Sequence, residues 1–484
     1  MPALTVDRAG ARRSVRRWIE SPVMAGIAVI GAGMGAMAAA ARLAVAGRRV
    51  TVLERGDTYG GAVRRYARDG FAFDTGPGLL HLPAVYRDLF VKTGREPLEE
   101  CVELRRVDPD ARHVFADGTA VTLPGFSHGG VRAALDEALG AGAGQRWSDL
   151  LGRARTAWDA TRRPLLEEPS RPGDGGPAPD PYPASRRRGL LRRRPPTLAE
   201  VAEDELRDPR LAALLGGFAR SYGLDPAEAP ASAAVLAYLE QTFGTWYVGG
   251  GMRELARALH DRCVARGVEF RFGAEVARVR EADGRATGAE LADGEVLDAD
   301  AVVAPGRADA HAPGARARFT VLLALDGPRP AGEPHRTLLH GPDRLVTVLR
   351  PDDPALVPDA GHEAVVLTAV VPAGPVAEPE RLADTLVAAA DAAGLNLGCR
   401  VRWREVRTPL DHAAATHAPG GAVPPPVLAG GGGAWRREAN LGSPRGVYRA
   451  GGWAHPGGGT AHAGMSGALA AGLLLEGDDW HGSR

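Results

Sequence analysis

From residue 26 onward, short apolar runs alternate with small-residue helical stretches. Ile27 to Ile30 read as a strand, a Gly-rich turn follows, and an Ala-rich helix runs from about Ala36 to Ala46. Gly47 ends that helix, as a C-terminal glycine does. Val50 to Leu53 is a second strand closing at Glu54, so this stretch predicts one complete βαβ unit.

The pattern then changes. Residues 83 to 160 are mixed and helix-prone, and 164 to 196 lose periodicity across Glu168-Pro169-Ser170-Arg171-Pro172-Gly173, which predicts a loop. Residues 197 to 240 return to helical spacing, with Leu211, Leu214, Leu215 and Phe218 on one face as core positions. After Gly249-Gly250-Gly251 a helix runs to about Ala265, and Val268 to Phe272 is strand-like. Alternation at 275–281, 286–291 and 296–298 predicts a small β-meander. Further strands are expected at Ala299 to Ala304, Phe319 to Leu325, Ala364 to Val371 and Gly446 to Ala450, with helices around 378–393 and 464–475.

Composition narrows the function classes. The 484 residues carry 59 Lys+Arg and 59 Asp+Glu, so overall charge gives no reason to expect nucleic acid as a partner. Cys101, Cys263 and Cys399 lie far apart, which argues against a disulfide framework or a zinc site and fits a reducing cytoplasm. His335, His340, His412 and His417 lack ligand spacing, so no metal is expected. No apolar run is long enough to span a bilayer. Arg12, Arg13, Arg16 and Arg17 superficially resemble an export signal, but the apolar stretch behind them is accounted for by the βαβ unit. Residues 1–23 therefore read as a flexible extension or a misassigned start. The cluster Arg186 to Arg194 contains six arginines around Leu190-Leu191. It reads either as a solvated loop face or as a surface that meets anionic headgroups. No Gly-x-Ser-x-Gly elbow and no phosphate loop with its lysine is present, which disfavours a hydrolase or an NTPase.

The first turn carries the sharpest chemistry. Gly31-Ala32-Gly33-Met34-Gly35-Ala36 is the G-x-G-x-x-A dinucleotide fingerprint. Gly31 permits the tight turn, Gly33 lets the backbone approach a pyrophosphate, and Ala36 is small enough for helix–strand packing. The helix N-terminus then offers free N–H groups to the phosphates. Glu54 closes the second strand, where a carboxylate accepts hydrogen bonds from ribose hydroxyls.

Beyond it, Glu54-Arg55-Gly56-Asp57-Thr58-Tyr59-Gly60-Gly61 and Gly70-Phe71-Ala72-Phe73-Asp74-Thr75-Gly76-Pro77 resemble the amine oxidase-like flavoproteins. The turn Gly451-Gly452-Trp453-Ala454-His455-Pro456-Gly457-Gly458-Gly459 and the run Phe243 to Met252 are similar to the bacterial phytoene desaturase branch, which includes carotenoid desaturases and isomerases. Three departures stand out. Ala62 follows the Gly pair where the family usually has Arg, with Arg64 two positions later. Thr460-Ala461-His462 replaces a frequent Ile-Pro, and Pro305-Gly306 an Asn-Ala pair.

The resemblance implies an α/β protein: a Rossmann-like FAD-binding domain with a mixed β-sheet and helical substrate or cap domain. The FAD domain is expected from 24–80, 246–310 and 405–484, and the substrate domain from 81–245 and 311–404, with the region near 186–194 as its candidate membrane-facing part. FAD is expected to meet Gly31, Gly33, Met34, Gly35, Ala36, Glu54 and Arg55. The Gly60-Gly61-Ala62 segment, Gly76-Pro77, a backbone contact at Val276, and Gly451, Gly452, His455, Gly458 and Gly459 complete the set. His455 is the one catalytic candidate, weighed against a structural turn histidine. The implied activity is hydride transfer from an isoprenoid polyene such as phytoene to the flavin, in a dry apolar tunnel, with quinone or oxygen as electron acceptor. The alternatives are an isomerase, saturase or tailoring oxidase on another lipophilic compound, and a non-catalytic membrane-attached flavoprotein. The implied location is cytoplasmic, free or peripheral on the inner face of the cell membrane.

Overall fold

The computed structural model describes residues 26–173, 179–186, 194–308, 315–342 and 344–482. The βαβ unit forms as strand Ile27–Ile30, helix Met34–Val45 and strand Val50–Glu54. Its strands sit inside a five-stranded parallel sheet. Glu269–Phe272 lies outside Val50–Glu54, and Ala301–Pro305 followed by Val447–Ala450 extends the sheet beyond Ile27–Ile30.

A parallel sheet needs cover on both faces. Ile27, Val29, Val50, Val52 and Val303 bury in one core with residues of helices Met34–Val45, Met252–Ala265 and Thr460–Glu476. Ala28, Leu53, Val302 and Ala304 bury on the other face with Ala286, Ala289 and Leu291. Those last residues come from the antiparallel meander Val276–Ala282, Arg285–Leu291 and Val296–Asp298, so the predicted meander covers the second face.

A seven-stranded mixed sheet forms the second layer system, in the order Val401–Arg407, Arg316–Asp326, His362–Pro372, Leu345–Leu349, Arg336–His340, Ala111–Phe115, Ala120–Leu123. The two-residue period divides its faces. Phe319, Val321, Leu323, Leu325, Val346, Val348, Val365, Leu367 and Ala369 bury with Ala383, Leu386 and Ala390 of helix Pro379–Ala392. The intervening positions therefore look the other way. Helices His128–Leu139, Ala143–Arg162, Leu198–Leu206, Pro209–Ser221 and Val235–Phe243 share a separate core, which includes Leu211, Leu214, Leu215 and Phe218 as expected.

The helix-prone reading of residues 83 to 160 needs correction at Ala111–Phe115 and Ala120–Leu123, which are strands. Their turn, Asp117-Gly118, supplies the reason. Gly118 takes φ +85°, and Asp117 Oδ1 accepts from the Thr119 N–H at 2.9 Å. Asp-Gly between short apolar runs is a hairpin signal. Residues 1–25 and 187–193 lie outside the described residues. The N-terminal extension and most of the arginine cluster fall there; Arg194 is described and pairs with Glu200 at 2.7 Å.

The larger sheet buries a charged clasp. Arg350 Nε and one Nη meet the two carboxylate oxygens of Glu363 at 2.7 and 3.0 Å, and both side chains are 1% exposed. Arg400 adds a contact to Glu363 at 2.8 Å. Replacing one partner strands a buried charge, so Glu363→Leu is expected to cost about 3–5 kcal/mol, read from urea unfolding. A loss below about 1 kcal/mol would show that the clasp is dispensable.

Candidate functional site

The carboxyl ends of the parallel strands open into a cavity of about 630 Å³. That is within the range of about 300–1,000 Å³ usual for cofactor sites. Gly31 enters its turn at φ +86°, a conformation that L side chains resist. Gly33 caps helix Met34–Val45 without a side-chain partner, leaving the first N–H groups toward the cavity. A methyl on Gly33 would meet protein only at 4.0 Å, at the Gly61 Cα. The space beside Gly33 is thus cavity, not neighbouring chain. Glu54 is anchored by the same turn: Oε2 accepts from the Ala32 N–H at 2.7 Å and Oε1 from the Gly56 N–H at 2.8 Å. This holds the carboxylate at the cavity wall with lone pairs to spare.

Close backbone approach builds the rest of the wall. The Gly60 N–H donates to the Ala32 carbonyl at 2.8 Å, and a methyl on Gly61 would come within 3.1 Å of the Gly33 Cα. A methyl on Gly76 would sit 1.9 Å from the Ala62 carbonyl oxygen, so Gly76-Pro77 is pressed against the Gly60-Gly61-Ala62 turn. Ala62 and Arg64 both line the cavity. Arg64 Nε donates to the Gly61 carbonyl at 3.0 Å, so a guanidinium two positions late still reaches the wall that Ala62 leaves bare. Burial lowers the pKa of the Arg55 guanidinium, an effect partly offset by Glu54 and Glu275.

The C-terminal turn closes the cavity. Gly451, Gly452 and Gly459 line it, as do Met34, Gly35, Ala36, Arg55 and Val276. The tightest packing falls on Gly35 rather than Ala36: a methyl there would lie 2.7 Å from the Ala463 carbonyl and 2.8 Å from Gly451. Val276 arrives with Ala274, whose N–H donates to the Glu54 carbonyl at 2.9 Å. Two expected residues are not on the wall. Gly458 is stacked on Pro424, where a methyl would sit 1.5 Å from the carbonyl oxygen. His455 is buried, and its Nε2 lies 3.0 Å from the Glu168 carbonyl. Its own carbonyl accepts from Asn440 and Ser466 at 2.7 Å each. This is the arrangement of a turn histidine that fixes the loop.

Sequence reading missed part of the wall. Arg318, His412, Thr416, His417, Val423 and Pro424 all face the same cavity. Arg318 comes from the larger sheet, and the others come from residues 412–424 around the Gly420-Gly421 pair. Burial pushes the His412 imidazole down to about 4, so it is neutral at pH 7.

A second cavity of about 180 Å³ shares Gly76, Pro77, Arg318, Val423, Pro424, Gly459 and Thr460 with the first. Its floor is the face of the seven-stranded sheet turned away from helix Pro379–Ala392: Leu345, Leu349, Ala364, Val366 and Val370, with Thr347 and Thr368 among them. Phe73, Leu79, Leu82 and Leu356 add apolar wall. The cavity is not uniformly apolar, which corrects the expectation of a dry apolar tunnel. Arg336 is held between Asp110 at 2.7 Å and Glu240 at 3.1 Å, and His81 lies 3.9 Å from Glu240. Asp74 accepts from the Met252 N–H at 2.8 Å, yet burial pushes its carboxyl up to about 7. His462, in the departure from Ile-Pro, is also on this wall and is lowered to about 4 by burial. Among the described residues no group of three His, Cys, Asp or Glu is arranged to hold a metal ion.

Residues 37–312 match the family described as Flavin containing amine oxidoreductase. The chain is 33% identical to the 4,4'-diapolycopene oxygenase of a Methylomonas species, over 57% of this chain and 54% of the relative. It thus spans about half the length of that relative. It is 28% identical to the hydroxyneurosporene desaturase of Rubrivivax gelatinosus, over 93% of both chains. Among solved structures, an oxidoreductase from Methanosarcina mazei shares the fold with a TM-score of 0.62, at 16% identity, over 91% of this chain and 98% of that one.

Two variants test the site. Gly33→Val keeps an allowed backbone and meets no protein atom closely, so the expected result is a folded protein that loses its flavin; normal FAD content would remove Gly33 from the cofactor wall. The second is Asp74→Asn. A carboxyl raised from 3.8 to about 7 holds its proton in the folded state, so folding is favoured at low pH and that advantage fades as pH climbs through this window. The melting temperature of the wild type should therefore fall relative to Asp74→Asn between about pH 4 and pH 8. A difference that does not change with pH would contradict the buried-acid assignment. The glycine cradle, the anchored Glu54 and the match over residues 37–312 converge: the chain belongs to the flavin containing amine oxidoreductase family, and its cofactor is FAD.

Proposed function

We propose that the protein desaturates an isoprenoid polyene, with a phytoene-like compound as the leading substrate. The observation that carries this reading is the predominantly apolar second cavity, which shares a wall with the cofactor cavity at Gly76, Pro77, Gly459 and Thr460. Similarity to a hydroxyneurosporene desaturase over 93% of the chain supports it. When bound, FAD supplies the hydride acceptor. The protein's share is placement and exclusion of water. Leu345, Leu349, Val366 and Val370 hold the hydrocarbon against the shared wall, and a cavity of about 180 Å³ takes a segment of a long polyene rather than all of it. Asp74 is the cavity carboxyl raised to about 7, so it can exchange a proton with bound substrate near neutral pH.

Segments 24–80, 246–310 and 405–484 serve as the FAD domain in this account, and 81–245 with 311–404 as the substrate domain. Similarity to a diapolycopene oxygenase favours a second reading, a tailoring oxidase acting on another lipophilic compound. Reoxidation uses a quinone or oxygen. Among the described residues no helix is long and apolar enough to cross a membrane, so access to a bilayer-borne substrate would be from a peripheral position on the inner face.

Product analysis after expression in cells supplied with phytoene tests the proposal. The expected outcome is a polyene with added double bonds. If FAD binds and every polyene is recovered unchanged, desaturation is wrong and the oxidase reading takes its place.

A further inference from the structure

Arg318 lies on strand Arg316–Asp326, between Val401–Arg407 and His362–Pro372. The strand's alternation sends Phe319 and Val321 to the helix-covered core and leaves Arg318 on the open face. There it lines both cavities. Among the described residues its guanidinium has no hydrogen bond and no ion pair, and burial lowers its pKa. Two fully buried arginines of this fold are neutralised: Arg336 by Asp110 and Glu240, Arg350 by Glu363. Glu240 is already shared with Arg336 and His81, and Arg316 takes Asp225 at 3.1 Å.

Two further polar groups open at the same corner. Tyr222 and His462 line the second cavity, and neither side chain has a hydrogen-bond partner among the described residues. A methyl built on Gly459 would lie 3.1 Å from His462 Nδ1 and 3.7 Å from Tyr222, so both rings border the glycine that separates the cavities. An arginine with five donors, a phenol and an imidazole thus converge beside an apolar wall, with no carboxylate hydrogen-bonded to any of the three among the described residues. A half-buried, unpaired cation is costly, and a bare hydrocarbon would leave it so.

We propose that this corner binds the carboxylate of an amphipathic substrate, a lipophilic chain with one acidic end. The inference rests on the reading that the second cavity takes a lipophilic substrate. Arg318 supplies the charge-assisted, potentially bidentate contact, and Tyr222 and His462 add donors. The chain of the substrate runs along Leu345, Leu349, Val366 and Val370.

The test titrates FAD-loaded protein with a polyene carboxylic acid and with its methyl ester, following the flavin absorbance. The acid is expected to bind about 10-fold tighter or more, the scale of one charged hydrogen-bonded contact. Arg318→Gln should erase that preference by weakening the acid alone, and Arg318→Lys should keep part of it. Equal affinities for acid and ester in the wild type overturn the proposal. So does an Arg318→Gln protein that loses FAD or shifts the flavin spectrum while still preferring the acid, since the guanidinium then serves the cofactor. An acid preference that depends on Arg318, without any new double bond, upholds the anion site and defeats the desaturase reading. Desaturation of a hydrocarbon with no acid preference does the reverse.

Discussion

The site depends on how closely two backbones approach at the start of the first helix. Helix Thr460–Glu476 lies against Met34–Val45 so tightly that a methyl on Gly467 would sit 2.1 Å from the Gly35 carbonyl oxygen. Gly35 in turn leaves no room for a methyl beneath Ala463 and Gly451. Small residues on both helices (Ala38, Ala39, Ala470 and Ala471 are fully or almost fully buried) make that approach possible. The contact joins residues more than 400 positions apart and brings the C-terminal glycine turn over the N-terminal one. Each turn alone is a loop with unused N–H groups. Together, with Gly60-Gly61 and Gly76 folded onto them, they enclose the cavity proposed to hold the cofactor.

The second cavity follows from the other sheet's period of two. One set of side chains fills the core beneath helix Pro379–Ala392, and the other set faces the cavity. A strand that must be buried on both faces is expected to be apolar throughout. Arg318, Arg336, Thr347 and Thr368 break that pattern on the cavity face, as Glu363 and Thr337 do on the helix-covered face. The polar exceptions are therefore not random surface. Arg336 is completed by Asp110 and Glu240, whereas the Arg318 guanidinium has no carboxylate partner among the described residues.

What could be read from the sequence was local. The βαβ unit, its fingerprint glycines, Glu54 and the meander depend on short-range periodicity and turn chemistry, and each forms where the pattern puts it. The predicted cofactor residues line one cavity except Gly458, packed on Pro424, and His455, whose turn was recognised but whose ring is held by the Glu168 carbonyl far away in sequence. Arg318, His412 and Val423 were illegible for the same reason. Only the register of the larger sheet and the packing of the loop near 416–424 carry them to the wall. The hairpin at Asp117-Gly118 was readable but was outweighed by the helical composition around it.

The account stands on the claim that this cavity holds FAD. Heat-released cofactor from the purified protein, separated by chromatography and quantified against polypeptide, measures that directly. The account predicts non-covalent FAD approaching one per chain. A folded protein that carries no flavin, and takes up none when FAD is added, would contradict it.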